Sequence, residues 1–167
     1  GVLLMSSSAT SVSITGTPDK DANCVAACAG AADCEAACPG LLWRTSPNDE
    51  VQAAALIDYM AIAEPRVHDD LEAADADTPT IKVAVLHKGD AYGKGLASAL
   101  EKELVFNDKK ATAQPSTVYT RLSYGNPDDI ENDPTKYPAT AEAAVQLAPH
   151  IIYDLGTEES IYDIMMP

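Results

Sequence analysis

Positive charge is scarce in this chain. Eleven Lys and Arg stand against 26 Asp and Glu, a formal net charge of −15 over 167 residues. A surface that acidic repels phosphate backbones and anionic lipid headgroups, which argues against a nucleic-acid or membrane-surface partner. Long hydrophobic runs are missing too. No apolar stretch approaches the ~20 residues that span a bilayer, and no basic n-region marks a signal peptide. Histidine is limited to His68, His87 and His150, dispersed and without H-E-x-x-H spacing. Each reads more simply as a surface or strand-end residue than as a metal ligand, and no metal is expected.

Complete catalytic motifs are lacking as well. The turn Gly89-Asp90-Ala91-Tyr92-Gly93-Lys94-Gly95 is glycine-bearing. A phosphate-binding P-loop requires G-x-x-x-x-G-K-[ST]. Gly89 and Gly93 lie too close together for it, and Gly95 stands where the magnesium-binding hydroxyl belongs. The dinucleotide fingerprint G-x-G-x-x-G fails at Ser98. Asp90 in the turn also repels phosphate, although the helix start remains a favourable place for an anion such as a carboxylate. The hydroxyl-rich turn Ser6-Ser7-Ser8-Ala9-Thr10 has no G-x-S-x-G elbow around a serine. Its hydroxyls and backbone N–H groups suit a carboxylate instead. Asp128, Asp129, Glu131 and Asp133 lack the order and central glycine of an EF-hand and read as a solvated loop. No carboxylate pair suggests glycosidase chemistry. No cofactor is expected.

What the chain does have is a hydrophobic fraction of 46 %, ordinary for a globular protein with a sizeable core. Its four cysteines, Cys24, Cys28, Cys34 and Cys38, all fall in one segment with spacing C-x3-C-x5-C-x3-C. A four-residue step puts each pair on one helical face. Two short helices joined at Ala29-Gly30-Ala31 would pair Cys24 with Cys38 and Cys28 with Cys34, one of three connectivities. Zinc is the competing reading, but zinc ligands usually come as closer pairs across a longer gap. Disulfides would place the protein outside the cytoplasm. The segment reads as a surface staple without part in activity.

Along the chain, Val2–Met5 and Leu41–Thr45 are short apolar, strand-like runs. A helix is expected from Asp49, capped by Asp49 or Asn48 and ended by Pro65, with Val51, Ala54, Ala55, Ile57, Tyr59 and Ile62 as its apolar face. The acidic stretch around His68 then reads as a connection. Ile81–Leu86 is a continuous apolar run, expected for a strand covered on both faces. A helix from about Tyr92 to Phe106 follows, then a strand in "STVYTRLSY", a loop in "GNPDDIENDPTKYP", a helix in "ATAEAAVQLA", a strand in "HIIYDLG" and the start of another helix. This rhythm predicts a doubly wound three-layer α/β sheet, whose ligands bind at the carboxyl ends of its strands. The abrupt apolar start reads as a piece of a longer protein.

Four segments in order, "GVLLMSSSATSVSIT", "LLWRTSPNDEVQAAALIDYM", "VAVLHKGDAYGKGLASALEKEL" and "APHIIYDLGTEES", resemble the type I periplasmic substrate-binding proteins of the branched-chain amino acid transport class and their receptor relatives. The likeness spans nearly the whole chain outside the cysteine insert. It implies two α/β lobes joined by crossover strands. Residues 1–46 would be the end of the first lobe with its crossover, the cysteine-rich insert lying at 18–40, and residues 47–167 would be part of the second. By this resemblance Ser8, Ala9 and Thr10 hold the ligand's carboxylate and ammonium groups. Asp49 lies close to the cleft, Tyr92 closes over the ligand, and Thr157 and Glu158 supply second-lobe contacts. The implied function is capture of an amino acid-like solute for an ABC permease, without chemistry. The implied location is the periplasm or cell exterior, with a lipid anchor on the full-length protein as one form. A receptor ectodomain of the same fold is the nearest alternative, and a nucleotide-using α/β enzyme a more distant one.

Overall fold

The computed structural model describes residues 3–12, 14, 22–27, 38, 40–74, 80–126 and 136–166. Cys28, Cys34 and the acidic residues Asp128, Asp129, Glu131 and Asp133 lie outside the described residues. The chain divides into two compact units, Gly1–Asn48 and Asp49–Pro167. Both are mixed α and β, with parallel strand pairing in each.

The first unit contains β1 (Leu4–Ser6), α1 (Ala22–Ala27) and β2 (Leu42–Arg44). β1 and β2 pair in parallel, Leu4 opposite Leu42 and Ser6 opposite Arg44. The Arg44 guanidinium continues this join, donating to the carbonyls of Thr10 and Ser11 at 3.2 and 2.8 Å. A disulfide links Cys24 on α1 to the buried Cys38. This is the outer bridge of the pairing that two helical faces predict.

The second unit opens with a long helix, α2 (Asp49–Ala73). It continues with β3 (Val83–His87), α3 (Ala91–Glu103), a hairpin of β4 (Val105–Phe106) and β5 (Lys109–Lys110), β6 (Tyr119–Ser123), α4 (Lys136–Leu147) and β7 (Ile151–Leu155). A short helical turn at Glu158–Ser160 and a wider one at Ile161–Met165 follow. The main sheet has the order β6-β3-β7 and is wholly parallel, Val83 standing opposite both Tyr119 and Ile151. β3 is therefore the middle strand. All five of its residues are buried, which is why "VAVLH" carries no polar alternation.

Alternate side chains of β3 enter two different clusters. Val83 and Val85 pack with Tyr153 and Leu155 of β7, Leu96, Ala97 and Leu100 of α3, and Met60 of α2. The α3 residues recur at i, i+1 and i+4, one stripe of a helix. Leu86 packs with Tyr124, Ala144 of α4 and Ile164.

The structure corrects the sequence reading of α2 in two respects. Its buried residues are Asp49, Ala53 and Met60, with Leu56, Ile57 and Val67 packed beside them. Of the expected face only Ile57 contributes, and Val51, Tyr59 and Ile62 are exposed. Apolar side chains lie on more than one side of this helix, and packing along α3 chooses between them. The helix also runs through Pro65 to Ala73, so His68 is helical and not in a connection. Pro65 and Ala61, whose carbonyl loses its helical donor, are both exposed, a position where solvent can stand in for the missing N–H. Beyond the proline Val67 packs on the core and holds the last turns in place.

Two further boundaries differ. α3 stops at Glu103, because Leu104 turns extended and the chain enters the hairpin. Asn107 and Asp108 form its two-residue loop, both with positive φ (46° and 58°), the conformation that Asn and Asp tolerate and two-residue hairpins favour. The Asn107 carboxamide grips the Ile81 backbone from both sides, donating to its carbonyl at 2.8 Å and accepting from its N–H at 3.1 Å. The Asn107 N–H donates to Glu64 of α2 at 2.6 Å. These contacts hold the hairpin so that Phe106 is fully buried, its ring 6.2 Å from that of Tyr119. At α4, Lys136, Tyr137 and Pro138 belong to the helix and not to the preceding loop; a proline in a first turn forfeits no intrahelical bond. Among the described residues no helix is long and apolar enough to cross a membrane.

Candidate functional site

The chain leaves β3 on one side to form β6, then returns across β3 to form β7. The loops after β3 and β7 therefore part at the carboxyl ends of adjacent strands, where open α/β sheets bind their ligands. Residues 88–92 and 156–160 meet there.

The turn after β3 is built around Asp90. Its side-chain Oδ1 accepts from the Gly93 N–H at 2.8 Å, and its carbonyl accepts from the Lys94 N–H at 3.1 Å. Asp90 is thus the N-cap of α3. The expectation that this helix start would favour an anion is met by the chain's own carboxylate, which already satisfies the Gly93 N–H. Gly93 is needed for the approach, since a Cβ there would fall 2.2 Å from the Lys88 carbonyl oxygen.

A polar cluster joins the two loops. The Lys88 ammonium lies 3.6 Å from Asp90 and 3.9 Å from Glu159, and donates to the Thr157 hydroxyl at 3.4 Å. Glu159 also accepts from the Tyr124 hydroxyl at 2.7 Å and from the Thr157 hydroxyl. Burial alone would raise the Glu159 carboxyl, but these hydrogen bonds and the Lys88 charge outweigh it and hold the group below its ordinary range. Burial and the Glu159 bond push the Tyr124 phenol well above its usual value. The Ser160 hydroxyl lies 2.8 Å from Asp154 and 2.7 Å from the Thr157 carbonyl. Gly156 makes this closeness possible, because a Cβ on it would lie 2.3 Å from the Tyr124 hydroxyl oxygen.

Tyr92, in the first turn of α3, is half-buried and packs beside the main core. Its phenol is raised by burial first, and then by the carboxylates of Asp49, Asp90 and Asp154. Asp49, at the start of α2, is fully buried. Asp154 is itself raised by burial, against the opposing Ser160 hydrogen bond. Acidic groups of α2, of the α3 cap and of β7 thus act on one phenol through charge, and they would act likewise on a positively charged group nearby.

The sequence-derived site residues divide between the units. Asp49, Tyr92, Thr157 and Glu158 belong to the second. Thr157 and Glu158 are exposed at the mouth of the β7 loop. Ser8, Ala9 and Thr10 belong to the first unit. There the Ser6 hydroxyl accepts from the N–H groups of Ser8 and Ala9 at 3.4 and 3.0 Å. The Ala9 carbonyl accepts from Ser46 at 3.4 Å and the Thr10 carbonyl from Arg44. The turn's backbone is engaged within the unit, and the hydroxyls of Ser8 and Thr10 are the groups it offers.

Lys88, Tyr124, Asp154, Glu159 and Ser160 were not anticipated. Their common signal is a strand followed within two residues by a glycine, in "HKGD", "SYGN" and "DLGTEES".

The chain matches no protein-family model, no curated protein and no solved structure.

Proposed function

We propose that the chain is a non-catalytic solute-binding module, part of an exported protein of the type I periplasmic substrate-binding class that serves an ABC permease. Its second unit would be part of a doubly wound three-layer lobe. The carrying observation is the half-buried Tyr92 beside two loops that carry Asp90, Thr157 and Glu159 to the carboxyl ends of adjacent parallel strands. Carboxylates on these loops, near an aromatic ring, suit the ammonium group of an amino acid-like solute. Ser8, Ala9 and Thr10 are assigned the solute's charged groups by the sequence resemblance alone. Binding would proceed by closure about a hinge, with contacts made only in the closed state shifting the population. Asp90, already committed to the helix cap, supports this reading over a phosphate cradle.

Isothermal calorimetry on the full-length protein with a panel of amino acids and other small polar solutes tests the proposal. One solute should bind saturably, and Tyr92→Ala should weaken it by about tenfold, equivalent to ~1.4 kcal/mol. Absence of heat for every member of a broad panel would sink it.

A further inference from the structure

A second recess lies near the amino end of β6, beside the last turns of α4. It encloses about 330 Å³, and Lys82, Ser116, Thr117, Thr120, Gln146 and Leu147 form most of its wall. Among the described residues that line it, Lys82 alone carries a formal charge, in a chain of net charge −15.

The lysine is held in place by its own backbone. The Lys82 N–H donates to the His150 ring at 3.0 Å, and its carbonyl accepts from the N–H groups of His150 and Ile151 at 2.8 and 3.2 Å. Its ammonium donates to the Leu147 carbonyl at 3.2 Å, at the end of α4. An ammonium has three donors, so two remain. Around it, the side chains of Ser116, Thr117, Thr120 and Gln146 spend no hydrogen bond on another described residue. A cation anchored beside three hydroxyls and a carboxamide, with no carboxylate among the described lining residues, is a donor set for a compact oxyanion.

We propose that this recess binds an oxyanion, the phosphate or carboxylate group of a small solute, with Lys82 as the charged contact and the hydroxyls of Thr117 and Thr120 as supporting donors. The site stands apart from Tyr92 and does not depend on the solute-binding reading above.

Amide chemical shifts of the isotopically labelled full chain, titrated with inorganic phosphate, a phosphate monoester and citrate, test it, with sodium chloride at matched ionic strength as the control. Saturable shifts are expected at residues 116–120 and 143–147. A response to phosphate and its monoester alone assigns a phosphoryl ligand, and a response to citrate alone assigns a carboxylate. Lys82→Met should weaken binding at least tenfold, whereas Lys82→Arg should retain it. Should Lys82→Met lose its native spectrum, Thr120→Val takes its place, with a severalfold loss expected. Shifts that rise linearly and equally with chloride, or saturable binding unchanged in the natively folded variants, would overturn the proposal.

Discussion

The carboxylate of Asp90 accepts a hydrogen bond from the backbone N–H of Gly93 at 2.8 Å, closing the first turn of α3. A glycine-bearing turn between a buried strand and a helix invites a phosphate. Here the donor that a phosphate would use is already satisfied, and the group satisfying it is an anion. Asp90→Ala should destabilise the second unit by about 1 kcal/mol, as loss of an N-cap does, while Asp90→Asn should retain most of the stability. Urea denaturation gives both values, and equal midpoints for the two variants would contradict the capping role.

His87 ends β3 almost fully buried, its Nδ1 2.8 Å from the Lys88 carbonyl oxygen. Burial depresses its pKa below 6.5, the Lys88 bond opposes this, and the charges of Arg121 and Lys94 lower it further. The folded state therefore binds this proton less readily than the unfolded chain. Its contribution to stability is intact above about pH 6.5, falls as the pH drops below that value, and levels off once the folded pKa is passed. Thermal melts should show a loss as the pH is lowered below 6.5 that shrinks in His87→Gln. An unchanged slope in that variant would assign the loss elsewhere.

Ala148 follows α4 with φ of 51°, a left-handed conformation usually taken by glycine at a helix end. The alanine Cβ makes this conformation unfavourable, and the strain there exceeds what a more flexible unfolded chain costs. Ala148→Gly should therefore stabilise the protein, by up to about 1 kcal/mol. A lower denaturation midpoint would refute this.

The Cys24–Cys38 bridge closes a loop with a sequence separation of 14. For a loop of about 15 residues, chain-entropy estimates give ~3 kcal/mol of stabilisation. Alkylation of the native protein should leave both thiols unlabelled until a reductant is added. Reduction should then speed proteolysis within Gly1–Asn48 before the second unit is attacked. Labelling of Cys24 in the unreduced protein would contradict the bridge.

The sites differed in how openly the sequence announced them. The positions of Tyr92 and of residues 157–158, each after a strand that stops at turn-forming residues, "HKGD" and "DLGTEES", were legible in the local pattern. A role for them in a site came from the family resemblance alone. The Glu159 cluster was not legible. Lys88, Tyr124 and the Thr157–Glu159 pair come from three loops, and no spacing rule connects loops so far apart in sequence. The hairpin at Asn107-Asp108 left a signal, two turn-tolerant residues between short apolar and basic pairs, that the helical pattern of the preceding residues concealed.

Composition and local pattern alone established the acidic character, the buried run that becomes β3, the helix after it and the spacing that lets Cys24 meet Cys38. Each of these depends on neighbours along the chain, where backbone geometry sets which side chains share a face. The tertiary structure decided which side of α2 is buried, whether the helix survives Pro65, and which residues join Lys88 and Glu159 between the loops after β3 and β7. Those outcomes depend on apolar area and charge brought together from distant segments, and a proline or an exposed valine is tolerated wherever the packing of its neighbours outweighs the local cost.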